Sequence, residues 1–279
     1  MILLGLIGSP IKSSAAPFMQ EAAAEAAGLR AHYRLIDIPG ADQSKLRALL
    51  EGVRLLGFSG INVTFPYKEA VVPLLDSLTS AAAVIGAVNT IVVQDGKLVG
   101  HNTDATGFAR AFSQVLGSPG DAPVVLIGAG GVGRAIAFAM AEVGARELRI
   151  VDTDAEKATA LAERLRGRVP ASAFPGVPEA LQGAGGVINA TAVGMLPDHG
   201  TPEPPELIHD RMWVADAVYT PLWTPLLLAA RSRGARVMTG RELSIHQGVD
   251  AFRLFSGGHE PSHQAIARAF DGVMAQRTG

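Results

Sequence analysis

Apolar runs rich in β-branched residues alternate along this chain with stretches of helical period, and short glycine or proline breaks separate them. In the first third the pattern predicts strands over 2–7, 32–38 and 60–63. A further pair, 90–93 and 98–100, is joined at the hairpin signal Asp95-Gly96. Helical spacing falls over 17–27, 43–56, 68–75 and 79–84, and a further helix over 105–116. After a loop over 117–123, strands over 124–128, 148–152, 186–189, 213–217 and 236–238 alternate with helices, which is the pattern of a parallel, doubly wound sheet. Beyond Thr239-Gly240, residues 244–278 read as two helices interrupted at Gly257-Gly258, expected to return to the first domain. The prediction is an α/β chain of two domains: 1–106, completed by the C-terminal helices over 240–279, and 107–239.

The second domain opens on the most informative stretch. The apolar run Val124-Val125-Leu126-Ile127 enters Gly128-Ala129-Gly130-Gly131-Val132-Gly133, and an alanine-rich helical pattern leaves it. Strand, glycine turn and helix stand in the order a dinucleotide site needs. Gly128 permits the turn, Gly130 lets backbone N–H groups approach a pyrophosphate, and Gly133 lets helix and strand pack closely. The helix N-terminus then faces the phosphate charge. Asp152 ends the next strand where a ribose-binding carboxylate belongs, about 20 residues on. Such a carboxylate accepts from ribose hydroxyls and repels a 2′-phosphate. Asp152, Asp154 and Glu156 all precede the first cation, Lys157, so NAD is favoured. Arg134 and Arg149 keep NADP open. Asp154 reads as the N-cap of a helix over 155–166.

Composition narrows the class. With 48% hydrophobic and 18% charged residues the chain reads as globular. A net charge of −2 with no basic stripe argues against a nucleic-acid binder. No apolar run approaches the roughly 20 residues that span a bilayer, and the start lacks the charged region of a signal peptide. Cysteine is absent, which removes disulfides, thiolate metal sites and cysteine nucleophiles and fits a cytoplasmic protein. The seven histidines show no ligand spacing, so no metal site is expected. There is no GxSxG elbow for hydrolase chemistry. Monomer and homodimer are both left open.

The first domain carries polar residues where a plain core would not. Asn62, Thr64 and Lys68 follow one another at the carboxyl end of a strand, where α/β sheets place ligands. Asn89, Asn102, Thr103 and Asp104 add amides, a hydroxyl and a carboxylate. One cation, one anion and several neutral donors suit a small polyhydroxylated acid. Each residue also has a plainer reading. Asn62 and Asn89 serve as backbone-pairing residues, Lys68 as a solvated helix-start lysine, Asp104 as an N-cap, and His246 as a structural or rim residue.

Together these motifs resemble the shikimate dehydrogenase family over nearly the whole chain. The matching elements are Gly8-Ser9-Pro10-Ile11, the segment from Asn62 to Lys68, Ala87-Val88-Asn89-Thr90, Asn102-Thr103-Asp104 and the glycine turn at Gly128. Asn189-Ala190-Thr191 with Gly194-Met195, and Val218-Tyr219 with Thr224-Pro225-Leu226-Leu227, complete the set. The resemblance implies an NAD(P)-dependent oxidoreductase that interconverts shikimate, or quinate, and its 3-dehydro form. It implies a substrate domain over 1–106 and a Rossmann domain over 107–239, with the active site in the cleft between them and a hinge closing on the substrate. Lys68 and Asp104 resemble the catalytic pair. Thr64 and Asn89 resemble substrate hydroxyl contacts, Ser14 a carboxylate contact, and Tyr219 and Gln247 further substrate contacts. Gly128, Gly130, Gly131, Val132, Gly133, Asp152 and Thr191 are the cofactor-binding residues so implied.

Three departures matter. The family's His-Ser-x-Ser-Pro start is here Ser13-Ser14-Ala15-Ala16-Pro17, so Ala16 removes one hydroxyl expected on the substrate carboxylate. The NADP-type Asn-Arg-Thr is here Asp152-Thr153-Asp154, which resembles the NAD-preferring quinate/shikimate branch. The stretch from Met238 to Gln247 also differs from the biosynthetic pattern. Two alternatives stand: an NADP-dependent biosynthetic shikimate dehydrogenase, and a nucleotide-sensing protein that kept the fold without turnover.

Overall fold

The computed structural model describes residues 1–278. The chain divides into two compact units, 1–103 with 245–279 and 104–244. The boundaries fall inside two helices, α4 (Thr103–Val115) and α9 (Gly240–Phe255).

The first unit is built on a mixed sheet. Its elements are β1 (Ile2–Gly8), α1 (Ala16–Ala26), β2 (Ala31–Asp37), α2 (Gln43–Leu55), β3 (Gly60–Val63), β4 (Ser77–Leu78), α3 (Ser80–Ile85), β5 (Thr90–Gln94) and β6 (Lys97–His101). The strand order is β2-β1-β3-β5-β6-β4. β1 runs parallel to β2 and β3, while β5 runs antiparallel to β3 and β6. The carboxyl ends of β1 and β3 and the amino end of β5 therefore share one sheet edge, where Asn62 faces Thr90 and Thr90 faces His101. One sheet face packs Ile7, Ile61 and Val63 against Leu46, Leu50 and Val53 of α2. The other packs Leu4, Leu6 and Tyr33 against Ala251 and Phe255 of α9. Asp42 and Thr79 start α2 and α3 by accepting from the N–H groups of Lys45 and Ala82.

The helix expected over 68–75 does not form. The segment is a series of turns ending in a single 3-10 turn, Val72–Leu74. Pro73 lacks the N–H that a continuous helix would need there, and Leu75, in extended geometry, ends the turn. Asp104 likewise does not cap its helix. It lies inside the first turn of α4, which begins at Thr103.

The second unit is the parallel sheet the pattern predicts. Its elements after α4 are β7 (Val124–Ile127), α5 (Gly131–Glu142), β8 (Leu148–Val151), α6 (Ala155–Arg164), β9 (Ala171–Ala173) and α7 (Val177–Ala180). They continue with β10 (Gly186–Asn189), β11 (Trp213–Asp216), α8 (Pro225–Ser232) and β12 (Arg236–Met238). The order β12-β11-β10-β7-β8-β9 reverses direction between β7 and β10, the topological switch point where such sheets hold ligands. Trp213 fills one face, edge-on to Phe112 at 4.8 Å between ring centroids. The helices α9 and α10 (His263–Thr278) end the chain, and α10 packs against α1 of the first unit. Among the described residues no helix is long and apolar enough to cross a membrane.

Candidate active site

In the first unit the polar residues form one buried network. Asn62 is 7% exposed and Asn89 3%. Asn62 Nδ2 donates to the Asn89 carbonyl at 3.2 Å and to Thr90 Oγ1 at 3.1 Å, and its Oδ1 accepts from the Tyr33 hydroxyl at 2.9 Å. Asn89 Oδ1 accepts from Thr103 N–H at 2.8 Å, and its Nδ2 donates to Thr103 Oγ1 at 2.9 Å. Asn89 thereby satisfies a backbone donor at the start of α4, which a helix N-terminus otherwise leaves open. Asn102 Nδ2 donates to the Ala87 carbonyl at 2.9 Å. Asn62 and Asn89 both hold backbone, as the plainer reading of each expects. For Asn89 one amide hydrogen remains beyond these bonds. Asp104 follows directly on Thr103 and is 5% exposed.

Lys68 is half-buried and sits on a tightly held turn. Thr64 N–H donates to the Ile7 carbonyl at 2.9 Å, Ser9 N–H to the Phe65 carbonyl at 3.0 Å, and Tyr67 N–H to the Thr64 carbonyl at 2.9 Å. The Lys68 carbonyl accepts from Val88 N–H at 2.8 Å. Tyr67 is the anchor. Its buried hydroxyl donates to the Ile38 carbonyl at 2.5 Å and accepts from Ala41 N–H at 2.9 Å. Sequence reasoning passed over Tyr67 and Tyr33, because each acts on a segment remote in sequence. Ser14, 8% exposed, accepts from Ala16 N–H at 3.2 Å and so orders the entry to α1. Gln247 lies half-buried on α9.

In the second unit the glycine turn has the shape a dinucleotide needs. Gly128 has φ +103°, and a Cβ there would meet the Ala190 carbonyl oxygen at 2.8 Å. A Cβ on Gly133 would lie 2.0 Å from the Gly128 carbonyl oxygen. A Cβ on Gly130 would meet nothing within 4 Å. Gly130 is the N-cap of α5 and supplies no side-chain cap, so the amides around Gly131, Val132 and Gly133 face an open crevice. Asp152 is locked beside it, with Oδ2 accepting from Ala129 N–H at 2.7 Å and Oδ1 from Asp154 N–H at 2.9 Å. These residues fit a dinucleotide: open amides for the pyrophosphate, and a fixed carboxylate for the ribose. Asp154 caps α6 as expected.

Across the crevice, Thr191 donates its N–H and its hydroxyl to Asn189 Oδ1, at 3.0 and 2.7 Å. Tyr219 lies half-buried just past β11. The two arginines that kept NADP open differ. Arg149 is tied to Glu147 and to the Ala180 and Gln182 carbonyls, with Phe174 beneath it. Arg134 stays at the turn, its Nε donating to the Ala129 carbonyl at 3.4 Å.

Comparison with known proteins agrees with this geometry. Residues 6–91 match the model described as shikimate dehydrogenase substrate binding domain, and residues 111–195 match shikimate / quinate 5-dehydrogenase. A quinate/shikimate dehydrogenase (NAD(+)) of Corynebacterium efficiens is 45% identical over 96% of this chain and 97% of its own length. A shikimate dehydrogenase (NADP(+)) of Streptomyces avermitilis is 44% identical over 95% of this chain and 94% of its own. The solved quinate dehydrogenase from Corynebacterium glutamicum, in complex with NAD, superposes with a TM-score of 0.88 at 41% identity, covering 97% of this chain and 99% of that one. The chain belongs to the shikimate dehydrogenase family.

Proposed function

We propose that the protein is an NAD(P)-dependent oxidoreductase that interconverts shikimate, or quinate, and its 3-dehydro form. The observation that carries this reading is the presence, in one chain, of a dinucleotide crevice at the sheet switch point and a buried amide–hydroxyl network beside half-buried Lys68. Relatives named for both acids and both cofactors support it. Acceptance of the hydride from the alcohol carbon, and its return in the reverse reaction, is the chemistry that a nicotinamide held by this crevice would supply.

The chain supplies binding and proton handling. Lys68 Nζ takes the hydroxyl proton during oxidation and gives it back during reduction, with Asp104 as its partner carboxylate. Thr64 and the remaining amide hydrogen of Asn89 bind substrate hydroxyls. Ser14 accepts from Ala16 N–H, which leaves its own O–H to donate to the substrate carboxylate. Ala16 adds no second hydroxyl. Tyr219 and Gln247 complete the substrate contacts. Gly128 to Gly133, Asp152 and Thr191 hold the cofactor, and Asp152 favours NAD over NADP. The NADP-dependent reading rests on Arg134, the arginine that lies at the turn. In this reading the partners are the cofactor and the small acid, in a monomer or homodimer.

Initial rates with shikimate and with quinate, each paired with NAD⁺ and NADP⁺, test the reading. We expect turnover with a clear NAD⁺ preference. An NADP⁺ preference would instead support the biosynthetic enzyme. NAD⁺ binding without turnover on either acid would leave a nucleotide-sensing protein.

A further inference from the structure

Besides Asp104, two carboxylates lie in the interior of the second unit. Asp216, the last residue of β11, is 1% exposed, and Glu203, in the segment leading from β10 to β11, is 4% exposed. A buried carboxylate needs donors or a cation to remain charged. Asp216 has donors: Asn189 Nδ2 at 3.0 Å, Val218 N–H at 2.9 Å and the Thr224 hydroxyl at 2.7 Å. Glu203 has none, since neither side-chain oxygen meets a donor among the described residues. The charge that acts on Glu203 is that of Asp216, and it is repulsive. Among the described residues no cation acts on Glu203.

Asp216 is also the hub of the crevice wall. Its donor Asn189 holds Thr191 through two bonds and donates to the Val193 carbonyl at 3.1 Å. Another of its three donors, Thr224, caps α8 through Leu227 N–H. The segment that carries Glu203 is continuous with Thr191, and Leu196 N–H ties it to the Thr220 carbonyl at 3.0 Å.

We propose that Glu203 is held as the neutral acid beside ionised Asp216, and that this proton makes the pair a positioning device for the Thr191 segment. The inference rests on the reading above that Thr191 holds the cofactor. Burial, with Asp216's charge second, raises Glu203 from its ordinary 4.5 to about 8. Burial raises Asp216 from 3.8 to about 6, against the bonds from Thr224, Val218 and Asn189. At neutral pH one proton therefore sits on Glu203. Opening that exposed Glu203 to water would return it to its ordinary value, so the packed segment is most favoured below pH 4.5 and loses ground up to about pH 8. The loss is at most about tenfold per pH unit for one proton, and above that range the curve levels. Asp216 shifts in the same sense, but its contribution ends near pH 6. A window from about pH 6.5 to 9 therefore isolates Glu203.

The test is amide hydrogen exchange on the full chain over that window, read as protection factors for residues 191–203, with NAD⁺ affinity measured in parallel by fluorescence titration. In the wild type, protection should fall by up to about tenfold per pH unit and level near pH 8, with NAD⁺ affinity following. In Glu203→Gln, and in Glu203→Met as a second variant, both curves should be flat. A flat wild-type curve, or the same slope in both variants, overturns the proposal. Wild-type protection that falls while NAD⁺ affinity holds overturns the link to the cofactor and the role of Thr191. Absence of turnover would sink the proposed function and leave the exchange result standing.

Discussion

Replacing Asp152 by asparagine should shift cofactor preference, and the structure sets the size of the shift. Both carboxylate oxygens are engaged, one with Ala129 N–H at 2.7 Å and one with Asp154 N–H at 2.9 Å. An asparagine, whichever way its amide turns, presents an NH₂ group to one of those two donors. That loses one charge-assisted bond, and ribose hydroxyls then meet a neutral acceptor, so NAD⁺ binding weakens by about 1–2 kcal/mol. On the NADP⁺ side, a carboxylate about 4 Å from one phosphate charge is opposed by about 4 kcal/mol at an effective dielectric of 20. Asp152 is half-buried, so solvent screening reduces this to about 2 kcal/mol. The two effects add in the ratio of kcat/KM for NAD⁺ over NADP⁺. The expected swing is about 3–4 kcal/mol, a factor of a few hundred. The assay is steady-state kinetics with both cofactors at saturating acid and low ionic strength, with Tm measured on the same preparation. A ratio that moves less than threefold while Tm falls would refute the reasoning. Asp152 would then be a brace for the glycine turn and not the ribose carboxylate.

Lys68→Ala should lower kcat by at least about 100-fold with little change in the KM for the acid. A loss confined to KM in the same steady-state assay would make Lys68 a binding residue. Tyr67→Phe leaves the Ile38 carbonyl without its hydroxyl donor and Ala41 N–H with only its longer 3.3 Å bond to that carbonyl. Thermal or urea unfolding should show about 1–3 kcal/mol lost, and kcat should fall more than KM changes, because the same hydroxyl anchors the Lys68 turn. Unchanged stability would mean the turn is held by its other bonds. Gly133→Ala places a Cβ 2.0 Å from the Gly128 carbonyl oxygen, which is backbone that cannot yield without moving the turn. NAD⁺ affinity measured by titration should collapse in a variant destabilised by about 1–3 kcal/mol. Normal NAD⁺ binding would show that α5 and β7 can separate there at no cost to the crevice.

The α/β class and the parallel sheet were legible because every strand of the second unit except β9 is a short, mainly apolar run ending in, or followed by, a polar or glycine residue. Gly128, Asn189 and Asp152 mark three such ends. The pattern failed where no apolar period existed to read. Two-residue β4 and three-residue β9 are edge strands too short to show one. The segment after Lys68 has enough apolar residues for a helix, but Pro73 forbids it. Asp104, an acid just ahead of the helical spacing over 105–116, imitates an N-cap but lies one residue inside its helix. The true partner of that helix start is Asn89, which lies just ahead of β5.

That last case explains the division between what could and could not be read. The residues proposed to meet a ligand lie at strand ends and loop starts, and strand ends are where hydrophobic patterning stops, so Thr64, Lys68, Asn89 and Asp152 stand out. Residues that hold them in place act across the fold: Tyr33 on Asn62, Tyr67 on Ile38, Asp216 on Asn189 and Thr224. Nothing in local spacing distinguishes Tyr67 from a core aromatic, or Glu203 from a loop acid, until the chain is folded. Their physical signature is burial of a polar group. For Tyr67 that burial is answered by two backbone partners, so the hydroxyl acts as a structural pin. For Glu203 it is answered by no donor and by a repulsive charge, so the stable answer is a proton. A buried polar group with a full set of partners therefore predicts a stability loss when removed, whereas one without partners predicts a pH dependence that disappears when it is neutralised.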